Sequence, residues 1–260
     1  MRAFGHEIFV RHAGASKGGV LCLHSSGQNH RQWRGYVQTF ESLGMPLHTL
    51  DFLGCGKSEP WRGAAPFHFS ADVAVAVELV RALEATMIVG HSYGGAVAFH
   101  AARLLGDELR RLAVFDPVLW GLHYELKGEA RMIHMVERGF FDEAARGTSE
   151  WLKAFVDYWQ GDGAWERLPE PGRKQMEADA AQTFDQVRSI AFDWTPQRSY
   201  AAIRSKTLVV SGAQTPPEMV AIGKRAAAGA GGEHTTVVGG HLTPLLDRMR
   251  FESAIVDFFG

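Results

Sequence analysis

Met87-Ile88-Val89-Gly90-His91-Ser92-Tyr93-Gly94-Gly95-Ala96 is the stretch that decides how this chain is read. An apolar run ends in glycine, a serine stands two residues further on, and two more glycines open a run of small residues. This is the G-x-S-x-G pattern of a nucleophile elbow, a sharp turn from a strand into a helix that exposes the serine hydroxyl. Gly90 and Gly94 remove side chains that would collide in such a turn. The turn also aims backbone N–H groups at the place where a negatively charged oxygen forms. The start of the following helix adds its partial positive charge there.

Working outward, the chain alternates strands and helices. Glu7 to Arg11 reads as a short edge strand. Val20-Leu21-Cys22-Leu23-His24 is a continuous apolar run, the mark of a strand buried on both faces. Trp33, Val37, Phe40 and Leu43 predict a helix over about 31–43, and Leu47 to Leu50 another strand. Ser70 reads as an N-cap, with an amphipathic helix from Asp72 to Leu83. Thr86 to Val89 is the strand before the elbow and Gly94 to Leu105 the helix after it. Arg111 to Phe115 is the next strand, ending at Asp116-Pro117. After an interruption the rhythm returns with a strand at Thr207 to Gly212 and a helix near 217–228. A last strand near 234–238 leads to Gly239-Gly240-His241, and a helix over about 250–259 closes the chain. The alternation predicts an α/β fold with a doubly wound, mostly parallel sheet.

The interruption, 119–200, shows no strand and is rich in aromatic residues, Trp120, Trp151, Tyr158, Trp159 and Phe184 among them. It reads as a helical cap inserted between two strands, with 1–118 and 201–260 forming the core. The cap aromatics read mostly as core, and His123 and His134 as residues on solvated helix faces.

Composition narrows the function. The 260 residues are 46% hydrophobic and 22% charged, with a net charge of −2 and no basic stripe, which argues against a nucleic-acid partner. No apolar run approaches the roughly 20 residues of a membrane span, and Met1 to Glu7 holds no apolar signal core. Cys22 and Cys55 lack metal-ligand spacing, so two free thiols in a cytoplasmic protein are expected.

Four features occur in order at strand ends: His24-Ser25-Ser26-Gly27, Asp51-x-x-Gly54-x-Gly56-x-Ser58, Gly90-His91-Ser92-Tyr93-Gly94 and Gly240-His241. Together they resemble the α/β-hydrolase superfamily over nearly the whole chain, in its serine esterase and lipase-like branch with a helical cap. The resemblance implies Ser92 as nucleophile, His241 as general base and an acid between them in chain order. It implies an oxyanion hole from the backbone N–H groups of Tyr93 and Ser26. Ser25 stands where the family usually has glycine, which narrows the loop or adds a hydroxyl donor. Ser25 and Trp120 are candidate walls of the substrate pocket.

The residues make a physical case beside the resemblance. A serine hydroxyl needs a base within hydrogen-bond reach, and active sites of doubly wound sheets gather at the carboxyl ends of the strands. Of the 12 histidines, His241 is the one in a strand–Gly–Gly–His context. His24 reads as a brace for its loop, His91 as packing, and Asp51 and Ser58 as parts of a stabilising turn. The family most often places the acid after the strand at 208–212, where this chain has Gly212-Ala213-Gln214-Thr215. Thr215 carries no charge, so Asp116, at the end of the strand after the elbow helix, is the candidate acid. Glu218 and Asp247 are the rivals.

The expected activity is hydrolysis of a carboxylic ester or related acyl bond in a small acyl or aryl substrate, without cofactor or metal. The alternatives are carbon–carbon bond hydrolysis, cofactor-free perhydrolysis, and ligand binding on a degenerate hydrolase fold. Natural substrate and oligomeric state are not legible in the sequence.

Overall fold

The computed structural model describes residues 1–125 and 131–260; the part of the expected cap at 126–130 lies outside the described residues. Strands β1 (Arg2–Ala3) and β2 (His6–Glu7) pair as a small hairpin. Its two turn residues, Phe4 and Gly5, have φ of 46° and 77°, as a tight hairpin turn requires. The main sheet comprises β3 (Val10–Ala13), β4 (Val20–Leu23), β5 (Leu47–Leu50), β6 (Met87–His91), β7 (Arg111–Phe115), β8 (Lys206–Gly212) and β9 (Glu233–Val237). Their spatial order is β3-β5-β4-β6-β7-β8-β9. β3 runs antiparallel to β5 and every other pair is parallel.

The inner strands carry a two-residue alternation between two cores. Leu21, Leu23, Ile88, Leu112, Val114 and Val209 face one core, while Val20, Cys22, Val89, Ala113, Phe115 and Val210 face the other. Successive side chains of a strand point to opposite faces, so a run that is apolar throughout covers both. Helices α1 (Val37–Ser42), α2 (Ser70–Leu83) and α3 (Tyr93–Leu105) precede β7. Between β7 and β8 every described element is helical: α4 (Trp120–Tyr124), α5 (Arg131–Glu137), α6 (Ser149–Gln160), α7 (Ala164–Arg167), α8 (Glu170–Ala178) and α9 (Ala180–Ala191), with short 3-10 turns between and after them. The chain closes with α10 (Pro217–Gly229), α11 (Thr243–Leu246) and α12 (Arg248–Phe259). Residues of α2, α3, α10 and the β7–β8 helices share the first core. Those of α1 and α12 fill the second.

Three local expectations are corrected. The strand read over Glu7 to Arg11 is divided, because Glu7 O accepts Glu59 N–H at 2.9 Å and Phe9 N–H donates to Ser58 Oγ at 2.9 Å. That stretch crosses the 51–59 turn before β3 begins. The helix expected over 31–43 starts as a 3-10 helix, His30–Tyr36, and only then becomes α1. His30, Trp33 and Tyr36 are its buried residues, and a spacing of three lines them up on one face of a three-residue turn. Ser70 is the first residue of α2 and makes no capping bond; its hydroxyl pairs instead with His68 Nδ1 at 2.9 Å.

Candidate active site

The elbow forms where the sequence places it. A Cβ on Gly90 would stand 2.5 Å from Gly94 O, and one on Gly94 would stand 2.3 Å from Leu23 O. Neither position admits a side chain without moving backbone. Ser92 joins β6 to α3 with φ 55° and ψ −117°. A non-glycine residue pays for such torsions, and strain of this kind clusters at functional sites. The turn is locked by Ser92 N–H donating to Phe115 O at 2.9 Å.

His241 arrives from the turn after β9, where Thr243 Oγ1 and N–H both donate to Gly240 O, at 2.7 and 3.1 Å. Its Nε2 lies 2.9 Å from Ser92 Oγ and its Nδ1 3.2 Å from Asp116 Oδ2. Asp116 follows β7 with φ 42° and is anchored by its N–H to Val210 O at 2.9 Å. All three side chains are buried. Asp116 Oδ1 meets no hydrogen-bond partner among the described residues. Of the rival acids, Glu218 accepts the Tyr158 hydroxyl at 2.9 Å and Asp247 pairs with Arg250. The Thr215 hydroxyl is buried without a partner among the described residues.

Behind the histidine lies a relay that the sequence reading missed. His91 Nε2–H donates to His241 O at 2.8 Å, so its Nδ1 accepts from Gln32 Nε2 at 3.1 Å. Gln32 Oε1 in turn accepts both the N–H and the hydroxyl of Ser25, at 3.0 and 3.1 Å. Burial first, and then the neighbouring His241, hold His91 well below the ordinary histidine range, so it stays neutral and keeps this donor–acceptor pattern. His91 is therefore more than packing. Its partners lie 59 and 150 residues away in sequence, and no local spacing announces them.

The 24–27 loop is braced as expected. His24 Nδ1–H donates to Ser25 O at 2.8 Å, and its Nε2 accepts Phe52 N–H at 3.1 Å. Burial lowers its pKa to about 4. The backbone N–H groups of Ser26 and Tyr93 bond to no described residue. The Tyr93 hydroxyl donates to Asp72 Oδ2 at 2.7 Å, and Leu53 N–H donates to Asp72 Oδ1 at 3.1 Å. Asp51 accepts His30 N–H and Nδ1–H, both at 2.7 Å, and Lys57 N–H at 2.9 Å, while Ser58 Oγ donates to its carbonyl.

A cavity of about 660 Å³ opens beside His241, with Tyr158, Trp159, Thr215, Glu218 and Leu242 among its walls. The Trp159 indole lies flat on the His241 ring, centroids 3.6 Å apart and planes 14° apart. Ser25 and Trp120 do not line this cavity. The Ser25 hydroxyl is turned to Gln32, and Trp120 packs against His123 and Tyr158. His123 is buried rather than solvated, and its ring nitrogens meet no partner among the described residues. His134 is exposed beside Glu137. Among the described residues there is no cluster of three or more His, Cys, Asp or Glu able to hold a metal ion, and no helix long and apolar enough to cross a membrane.

Known proteins share this architecture. Lipase LipV of Mycobacterium tuberculosis is 33% identical over 102 residues, a match that takes in 38% of this chain and 37% of the lipase. The chain thus spans well under half the length of that relative. The enol-lactonase of Burkholderia xenovorans superposes with a TM-score of 0.75 at 19% identity, covering 98% of this chain and 97% of the other. A hydrolase from Pseudomonas aeruginosa gives 0.77 at 23%, over 98% and 95% of the two chains. An esterase from Exiguobacterium antarcticum gives 0.75 at 18%, over 98% and 96%. At these identities the three structures speak for the fold. The model of the alpha/beta hydrolase family matches residues 20–254, nearly the whole chain, and the chain belongs to that family.

Proposed function

We propose that this protein is a serine hydrolase that cleaves a carboxylic ester or related acyl bond through Ser92, His241 and Asp116. The observation that carries the reading is the unbroken chain Ser92 Oγ, His241 Nε2, His241 Nδ1, Asp116 Oδ2, with links of 2.9 and 3.2 Å. Asp116 holds the imidazole in the tautomer whose bare Nε2 faces the serine. His241 takes the Ser92 proton as Oγ attacks the substrate carbonyl, and returns it to the departing alcohol. The Ser26 and Tyr93 N–H groups stabilise the oxyanion. Water, activated by the same histidine, then cleaves the acyl-enzyme.

The helices between β7 and β8 act in this reading as a cap over Ser92. Gln182 of α9 supports it by donating to Leu53 O at 2.8 Å, as do Tyr158 and Trp159 of α6, which wall the cavity beside His241. The cavity joins aromatic walls, Tyr158 and Trp159, to polar ones, Gln214, Thr215 and Glu218 among them, a mixture that suits a small acyl or aryl substrate carrying polar groups.

The test is a fluorophosphonate probe together with a panel of p-nitrophenyl esters and lactones, the latter because an enol-lactonase shares the fold. Wild type is expected to be labelled at Ser92 and to turn over at least one ester class. Ser92→Ala is expected to do neither. A folded wild-type protein that resists labelling and hydrolyses nothing would leave a ligand-binding protein on the same fold.

A further inference from the structure

We infer that Trp159 is a positioning residue for the catalytic base: its indole, stacked face to face on the imidazole, holds His241 between Ser92 and Asp116 and favours the imidazolium that forms during turnover. The inference rests on the proposed triad.

The geometry is specific. Hydrogen bonds at Nδ1 and Nε2 fix the two edges of the His241 ring but leave it free to rock about the line joining them. A flat neighbour 3.6 Å away and 14° from parallel removes that freedom. His91 is the other ring against His241, with centroids 5.0 Å apart and tilted by 46°, so it supplies no such plate. Trp159 is itself held by Tyr158, whose ring packs edge-on at 4.7 Å and whose hydroxyl donates to Glu218. The indole Nε1 is buried without a partner among the described residues, so no hydrogen bond of its own explains where the indole sits.

The electrostatics point the same way. A cation over an indole face within about 6 Å is attracted by the ring quadrupole. The titratable or charged groups around His241 are Asp116 at the end of β7, the neutral His91 on β6, and Glu218 and Asp247 around the cavity. Asp116 stabilises the imidazolium at one edge and Trp159 at one face. Because Trp159 belongs to α6, the placement of the base in the core is set partly by the proposed cap.

The experiment compares wild type, Trp159→Leu and Trp159→Phe. Leucine keeps the site dry but has no π face, and phenylalanine keeps a weaker one. Kinetics on an ester substrate read kcat and KM against pH. In Trp159→Leu the acid limb of kcat/KM is expected to move to lower pH, and in Trp159→Phe by less. The same interaction makes kcat fall roughly twofold to thirtyfold in Trp159→Leu, with the smaller part of the change in KM. If Trp159→Leu does not fold, the smaller shift in Trp159→Phe decides. An acid limb unmoved in the folded variants, or a rise in KM alone, would reduce Trp159 to a cavity wall and overturn the inference while leaving the triad standing. A wild type whose Ser92 takes no fluorophosphonate would instead remove the triad, and this inference with it.

Discussion

Among the buried histidine–aspartate pairs of the described residues, His241–Asp116 and His100–Asp193 make the sharpest contrast, because, of these two, only the first has a serine. His241 meets Asp116 at 3.2 Å and offers its other nitrogen to Ser92. His100, on α3, meets Asp193 at 2.9 Å, and its other nitrogen lies 3.2 Å from Arg103 Nη1. The second pair is the shorter, yet it is no base. A guanidinium has only donors, so His100 Nδ1 must accept from it and has no lone pair left for a substrate proton. The comparison teaches that a His–Asp contact identifies nothing by itself. The group at the remaining imidazole nitrogen decides between chemistry and structure.

The strongest way to break the comparison is at that group. Ser92→Ala is expected to lower turnover of a p-nitrophenyl ester by about 10⁴ to 10⁶, with far-UV circular dichroism and Tm close to wild type. Unchanged turnover in a folded variant would place the two histidines on the same footing. Next comes the acid. Asp116→Asn is expected to cost on the order of 10⁴ in kcat by leaving the imidazole in the wrong tautomer, and steady-state kinetics check it. Asp193→Asn, the equivalent change in the other pair, leaves kcat close to that of wild type. Equal kinetic losses in both would show that the distinction drawn here is false.

A third carboxylate sharpens the comparison because it has no histidine at all. Asp72 of α2 is fully buried behind the elbow, and burial pushes its pKa up to about 7 despite hydrogen bonds from Tyr93, Leu53 and Gln186. The folded protein thus keeps a proton there up to about neutrality, whereas the unfolded chain releases it near pH 4. Stability from this group is complete below about pH 4 and is lost as pH rises through 7. Linkage puts the loss on the order of 2 to 4 kcal/mol. Asp72→Asn cannot titrate, so its stability relative to wild type is expected to improve between pH 4.5 and 8, as read from urea midpoints. Parallel pH dependences would mean that the carboxyl is not held protonated.

The sequence is readable where structure is local and mute where it is not. The strands Val20–Leu23 and Arg111–Phe115 coincide with apolar runs bounded by turn residues, because a strand buried on both faces needs little else. The elbow is readable because its close backbone approaches demand glycine at fixed offsets. The chain His30–Tyr36 misleads because a spacing of three and a spacing of 3.6 differ little over two turns. Ser25, Gln32, His91 and His241 come together through links spanning 7, 59 and 150 residues, which no periodicity encodes. Trp159 looked like any cap aromatic until the fold laid it on His241. His123 follows the helical pattern of a solvated face, but α4 is buried by the chain that returns beside it, where a Cβ on Gly121 would stand 2.6 Å from Thr195 O.

The smallest expected effect belongs to the silent pair, and it is an effect on stability. Asp193 lies just past α9 and His100 on α3, so their bond ties the end of the β7–β8 segment to the elbow helix. Burial alone would raise the Asp193 carboxyl. The hydrogen bond from His100 and the two bonds from Thr195 outweigh it and hold the group below the usual carboxylate range. A depressed carboxyl contributes stability above its unfolded pKa, near 4, and loses it as pH falls through the folded value. In Asp193→Asn the amide is forced to choose between Thr195 and His100, and Arg103 keeps His100 from changing tautomer, so one buried donor goes unmet. That costs about 1 to 3 kcal/mol. Urea midpoints at pH 7 are expected to show this gap from wild type, and the gap is expected to shrink toward pH 3 as Asp193 protonates. A gap that persists unchanged at pH 3 would mean that Asp193 acts through packing rather than charge, and the two pairs would then differ in more than the group at the second nitrogen.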